Sequence, residues 1–185
     1  VQTCALPIWE NMDYRFDIAL SYVSGENGNE ELVKKVYYYL KAEKIHTFFA
    51  ASEEGQRILS GRNQRDVFYE IFGIQSRFVA LFVSDEYLKR EVTMEEANIA
   101  IAKHLHNATV IPIYLDESYL PEKLFDPRQT NYYRSSNPAQ IAAHLAYKIT
   151  QIKKEEQLQN HCETKGRGTM NISGNCAQNQ IFIQR

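Results

Sequence analysis

The chain has 185 residues and a mass of 21.5 kDa, with 21 Lys plus Arg against 23 Asp plus Glu, a formal charge of −2. That near-balance argues against a protein that binds nucleic acid through phosphate charge. Hydrophobic residues make up 44% and aromatics 12%, enough for one core of about 100–150 residues and too little chain for a second full domain. The longest strictly apolar run, Phe78 to Val83, is six residues; a spanning helix needs about 20, so no membrane partner is expected.

The ends differ from the middle. Cys4, Cys162 and Cys176 all lie outside residues 5–161, and their spacings fit neither a disulfide framework nor a metal site. A cysteine-free globular region suits a reducing, cytoplasmic setting. Residues 1–11, with Trp9, read as a non-native or disordered leader, and Met12 as a natural start. From Glu156 to Arg185, nine of thirty residues are Asn or Gln. Together with Gly166, Gly168 and Gly174 they make a linker, or the truncated start of a C-terminal domain whose first strand is Gln180–Gln184. The expected domain is 12–155.

Within it, strand and helix signals alternate. Phe16–Ser21 is a short apolar strand, followed by a loop from Val23 to Gly28. Asn29 is placed to cap a helix that buries Leu32, Val33, Val36 and Leu40 at helical spacing. Ile45–Phe49 predicts a second strand, and Ala50–Gly61 a long polar loop. A helix follows with Val67, Phe68, Ile71 and Phe72 on one face. Phe78–Val83 is the most hydrophobic strand, hence central. Ser84 begins a short helical turn, and Thr93 is placed to cap a helix reaching about His106. Val110–Tyr114 is a fourth strand whose Pro112 predicts a bulge or an edge. Asn131–Tyr133 is a weak fifth strand, and Asn137-Pro138 opens the last helix.

Five strands alternating with helices predict an α/β fold: a flavodoxin-like five-stranded parallel sheet, order 2-1-3-4-5, with helices on both faces. Ligands of such sheets sit beyond the carboxyl ends of the strands where the order reverses. That nominates Ser21–Gly28 and Ser84–Glu96. Phosphate-loop, dinucleotide and serine-elbow motifs are absent, His104 and His106 make a poor metal pair, and strand one lacks the acidic pair of a phosphoacceptor. The Ser24-Gly25 loop offers a weak phosphate cradle. Glu96 is the sharper candidate, with a competing role: Thr93-Met94-Glu95-Glu96 matches a capping box, in which Glu96 bonds only the Thr93 N–H.

Several segments resemble a bacterial TIR domain. Arg15 to Tyr22 is similar to the family's first box, Ile45 to Arg62 to its second strand and BB loop, Gln75 to Ser84 to its SR-containing strand, and Val110 to Ile113 to its fourth strand. The resemblance covers about residues 14–152. It implies an enzyme that cleaves the nicotinamide–ribose bond of NAD+, giving nicotinamide and ADP-ribose or a cyclic isomer, in bacterial antiviral defence. NAD+ is then the substrate, and no metal or other cofactor is required. The family's essential glutamate closes a W-x-x-x-E pattern. Here that window is Val92 to Glu96, so Glu96 is the implied catalytic residue and Val92 stands in for the tryptophan. Around it, Tyr22 would stack on a base, Ser21 and Ser24 donate to phosphate, and Ser76 and Gly61 help shape the pocket. Arg77 reads as an ordinary surface arginine. Self-association through the 50–61 loop is also implied. Two other readings remain: a non-catalytic TIR adaptor, and a flavodoxin-like cofactor binder.

Overall fold

A computed structural model describes residues 14–25, 27–104, 109–126 and 132–166. The leader, Trp9, His106, the three cysteine side chains and the Gln180–Gln184 strand lie outside the described residues. The chain divides into two compact units, residues 1–149 and 150–185.

In the first unit, β1 (Phe16–Ser21), β2 (Thr47–Phe48), β3 (Ser76–Val83), β4 (Val110–Tyr114) and β5 (Tyr133–Arg134) form one sheet. Their order is β2-β1-β3-β4-β5, and every neighbouring pair is parallel. This is the expected flavodoxin-like arrangement. The helices are α1 (Glu30–Ala42), α2 (Glu53–Leu59), α3 (Gln64–Glu70), α4 (Asp85–Lys89), α5 (Glu91–His104) and α6 (Pro138–Gly166), with a π-helical turn at Ile71–Gln75 after α3. β3 carries Phe78 to Val83, all fully buried. Continuous apolar sequence is what a parallel strand covered on both faces needs. α1 buries Val33, Val36 and Leu40 on one stripe, and α5 buries Ala97, Ala100 and Ile101.

Four local expectations are corrected. β2 is two residues rather than Ile45–Phe49, because its flanks are already used. The Ile45 N–H closes α1 on Leu40 O, the His46 N–H bonds the Asp17 carboxylate, and Phe49 O accepts from Ser52 N in a turn. The 50–61 segment is not a loop: Ser52 caps α2 through its bond from Gly55 N, with Glu53 and Glu54 in the first turn, the acidic start that a helix dipole favours. Gly55 sits there because a Cβ would lie 2.3 Å from Phe49 O. Pro112 marks neither bulge nor edge. Thr109 O and Leu115 N both bond β3, so alternate residues between them face that strand and Pro112 faces the β5 side. Pairing with β5 starts only at Ile113. Asn29 precedes α1 but makes no side-chain cap; it accepts from Val23 N and donates to Phe82 O, tying the loop after β1 to β3.

Asn137 does cap α6, accepting from Ala139 N and Gln140 N. In the second unit this helix continues through residue 155, where the composition changes, and its described backbone ends at Gly166.

Candidate active site

β1 and β3 end side by side, with Ser21 in register with Leu81. Their following segments diverge to opposite neighbours, which opens the crevice expected at the order reversal. After β1 the chain turns tightly. Gly28 N bonds Gly25 O and Asn29 N bonds Val23 O, and a Cβ on Gly28 would lie 2.3 Å from Val23 O. Much of this loop's N–H complement is thus spent internally, leaving less to cradle a phosphate. After β3, Ser84 caps α4 by accepting from Tyr87 N.

α5 begins at Glu91, three residues earlier than a Thr93 cap predicts. Arg90 is in extended conformation and its carbonyl accepts from Met94 N. Thr93 therefore lies inside the first turn, where its hydroxyl donates to Tyr87 O at 2.6 Å and Arg90 O at 3.0 Å. The capping box does not form, and the Glu96 carboxylate is directed elsewhere. It accepts from Ser21 Oγ at 2.6 Å.

Glu96 is only 6% exposed. Burial pushes its pKa up to about 8; the Ser21 bond opposes the rise and the neighbouring Glu95 charge adds to it. Glu95 itself meets Arg65 at 2.9 Å. Ser21 Oγ also lies 2.6 Å from the Tyr87 hydroxyl, and Tyr87 is fully buried.

Two clefts meet at Glu96. The larger, about 580 Å³, is lined by Tyr22, Ser24, Glu30, Gln56, Arg90 and Thr93 among others. The smaller, about 290 Å³, is lined by Asn63, Arg65, Glu95 and Ile99 among others. Gln64, Phe68, Glu91, Val92 and Glu96 border both. Tyr22 is half-buried beside Phe49, ring centroids 5.2 Å apart. Its phenol pKa is raised by burial first, then by the charges of Glu30 and Glu96.

The structure thus brings together Tyr22, Ser24, Val92 and Glu96 at the larger cleft. Ser21 is buried behind it, bonding Glu96 rather than reaching a phosphate. Ser76 is placed elsewhere: it pairs with Phe16 at the amino end of β3, fully buried, outside both clefts. Gly61 supplies a left-handed turn, φ 72°, after α2 and lines neither cleft. Arg77 lies over the Phe78 ring at 5.7 Å. Tyr87, Gln64 and Arg90 were not singled out in the sequence. Tyr87 had a local signal, three residues after the capping Ser84; the other two carry none.

A flavodoxin-like sheet with a carboxylate buried at its order reversal defines the class. The TIR domain family model matches residues 18–146, and the chain belongs to that family. No curated protein matches the sequence. Among solved structures, the chain is similar to the TIR domain of the Toll-related receptor TRR-2 from Hydra magnipapillata: 14% identity, TM-score 0.51, covering 64% of this chain and 83% of that one. It is also similar to a TIR-STING receptor from C. gigas: 17% identity, TM-score 0.58, covering 75% of this chain and 41% of that one. The chain thus spans about two-fifths of that receptor. At these identities the likeness concerns the fold.

Proposed function

We propose that this domain is an NAD+ nucleosidase with Glu96 as its catalytic residue. The observation that carries the reading is a carboxylate buried at the crevice whose bond, among the described residues, comes from neutral Ser21 rather than a cation. An unpaired buried carboxylate is costly, and such groups concentrate at functional sites. The larger cleft falls within the usual size of a small-molecule site. It carries Glu30 and Glu91 against Arg90, with Glu96 adding a charge when it ionises, an acidic balance that favours a cationic pyridinium ring.

The chemistry needs no acid on the leaving group. The C1′–N bond breaks with its electron pair going to the pyridinium nitrogen, and neutral nicotinamide departs. The ribose is left as an oxocarbenium ion, whose charge the Glu96 carboxylate stabilises at short range in a water-poor pocket. Water adds at C1′ and releases a proton, giving ADP-ribose; attack by a nucleophile of the same molecule gives a cyclic isomer. On this reading Tyr22 would stack on a ring, and Val92 would contact the substrate where the two clefts meet.

The association implied by the resemblance would engage α2, a capped helix presenting Glu53 and Arg57. The cytoplasmic setting and a role in bacterial antiviral defence belong to the same reading.

The test is direct. Concentrated protein incubated with NAD+ releases nicotinamide, and Glu96→Gln lowers that release by at least about 100-fold, the scale for losing a transition-state charge partner. Equal release by parent and variant overturns the assignment.

A further inference from the structure

Three elements converge on one hydrogen-bonded line. Ser21 ends β1, Tyr87 sits on α4 and Glu96 on α5, and all three side chains are buried. Ser21 Oγ is 2.6 Å from Glu96 Oε2 and 2.6 Å from the Tyr87 hydroxyl. A serine has one hydroxyl proton. When that proton goes to the carboxylate, Oγ can only accept from Tyr87, so the direction of both bonds is set. Thr93 holds the arrangement from the other side: its hydroxyl donates to Tyr87 O, joining the backbone of α4 to the first turn of α5.

We propose that Tyr87 is a positioning residue for Glu96, acting through Ser21: the chain Tyr87 O–H to Ser21 O–H to Glu96 fixes the carboxylate's rotamer and favours its ionised form. Bonds in series polarise one another, strengthening each by about 10–30%. Burial and the Glu96 charge push the Tyr87 pKa well above the ordinary value, so the phenol keeps the proton that this direction requires it to donate. Among the described residues, the other titratable or charged groups around Glu96 are Tyr22 after β1, Glu30 on α1, Arg65 on α3, and Arg90, Glu91 and Glu95 at the start of α5. None of these replaces the Ser21 bond. The catalytic consequence rests on the NAD+ reading; the electrostatic one does not.

The experiment reads both separately. Protein labelled with ¹³C-glutamate is titrated by NMR, Glu96 Cδ being identified by its loss in E96Q, beside pH profiles of nicotinamide release. Ser21→Ala should raise the Glu96 midpoint by about one pH unit, the scale of a hydrogen bond to a charged group. Tyr87→Phe should raise it by roughly 0.3 unit, the share carried by polarisation of the second bond. The double variant should match Ser21→Ala alone. Site-specific 3-fluorotyrosine at position 87, a stronger donor, should lower the midpoint. That change of sign is one a merely structural role cannot produce, and it serves if Tyr87→Phe does not fold. An unmoved midpoint in Tyr87→Phe or in the fluorinated protein, or a further shift when Tyr87→Phe is added to Ser21→Ala, overturns the relay. Absence of nicotinamide release from the parent overturns the NAD+ reading and leaves the NMR result to decide the relay.

Discussion

Two places in the sheet bring a charged group against tyrosine, and they resolve it oppositely. At the β4–β5 edge, Arg134 lies within 6 Å of the ring centroids of Tyr114, Tyr119 and Tyr132. It also meets Glu117 at 3.1 Å and donates to Asp116 O. At the crevice, Glu96 is buried with, among the described residues, a single neutral donor, Ser21, and a buried phenol behind it. The first charge faces ring electrons, a carboxylate and a carbonyl, the partners that stabilise a cation. The second is held where burial disfavours its charged form. The cation has counter-charge and ring partners, although its Nη2 is buried without a hydrogen bond among the described residues; the carboxylate has no counter-charge, and carboxylates so placed concentrate at functional sites.

The largest effect that tests this contrast is on stability against pH. Glu96 has a folded pKa of about 8 against an unfolded value near 4.5. Between these values the folded state binds the extra proton, so this residue's contribution to stability falls as pH rises through that window and levels off above about pH 8. Glu96→Gln has no such term. It should melt above the parent at pH 9, with the gap closing toward pH 5, as measured by thermal denaturation across pH. A gap that stays constant with pH would show that Glu96 ionises normally and that the two regions are alike.

If the NAD+ reading holds, the same midpoint should govern activity. In the free enzyme the ionised fraction of Glu96 rises about tenfold per pH unit below its pKa, so kcat/KM for NAD+ should climb with that slope and level off above about pH 8. The plateau of kcat should begin at lower pH, because the bound pyridinium cation favours the carboxylate. A rate that falls from pH 6 to 8 would mean that the protonated form is the active one.

Removing the paired charge should do the reverse. Arg134→Ala should lower Tm by about 3–6 °C through lost packing and cation–π contact and leave the pH midpoint of NAD+ cleavage in place. A moved midpoint would couple the two regions. The smallest effect belongs to neither. Lys44 takes a left-handed φ of 59° where α1 ends, with Ile45 N on Leu40 O and Lys44 N on Lys41 O, a closure that glycine fits best. Lys44→Gly should add about 0.5–1 kcal/mol in denaturant unfolding.

Much of the fold was legible because its signals are local. The apolar run at Phe78–Val83 demanded a central parallel strand, and alternation of strand and helix demanded crossovers. The misread places were those where neighbours competed for the same backbone groups. Ser52-Glu53-Glu54 carried a helix start, but Gly55 after it reads as a breaker until its contact with the Phe49–Ala50 backbone is seen. Thr93-Met94-Glu95-Glu96 has the spacing of a capping box. Thr93 instead bonds the carbonyl of Tyr87, which α4 places within reach.

The sequence by itself determined the strand order, the crevice it opens and the nomination of Glu96. These follow from periodicity over short windows and from resemblance along the chain. Only the tertiary structure decided what Glu96 bonds and how deeply it is buried. Ser21 is 75 positions away, and no local pattern can state that its hydroxyl, rather than the Thr93 backbone, meets the carboxylate. Nor can it show that Ser76, on a strand that leads to the crevice, lies at the strand's far end. Burial and hydrogen-bond partnership depend on what packs across the sheet, and a carboxylate's proton affinity is set by those neighbours.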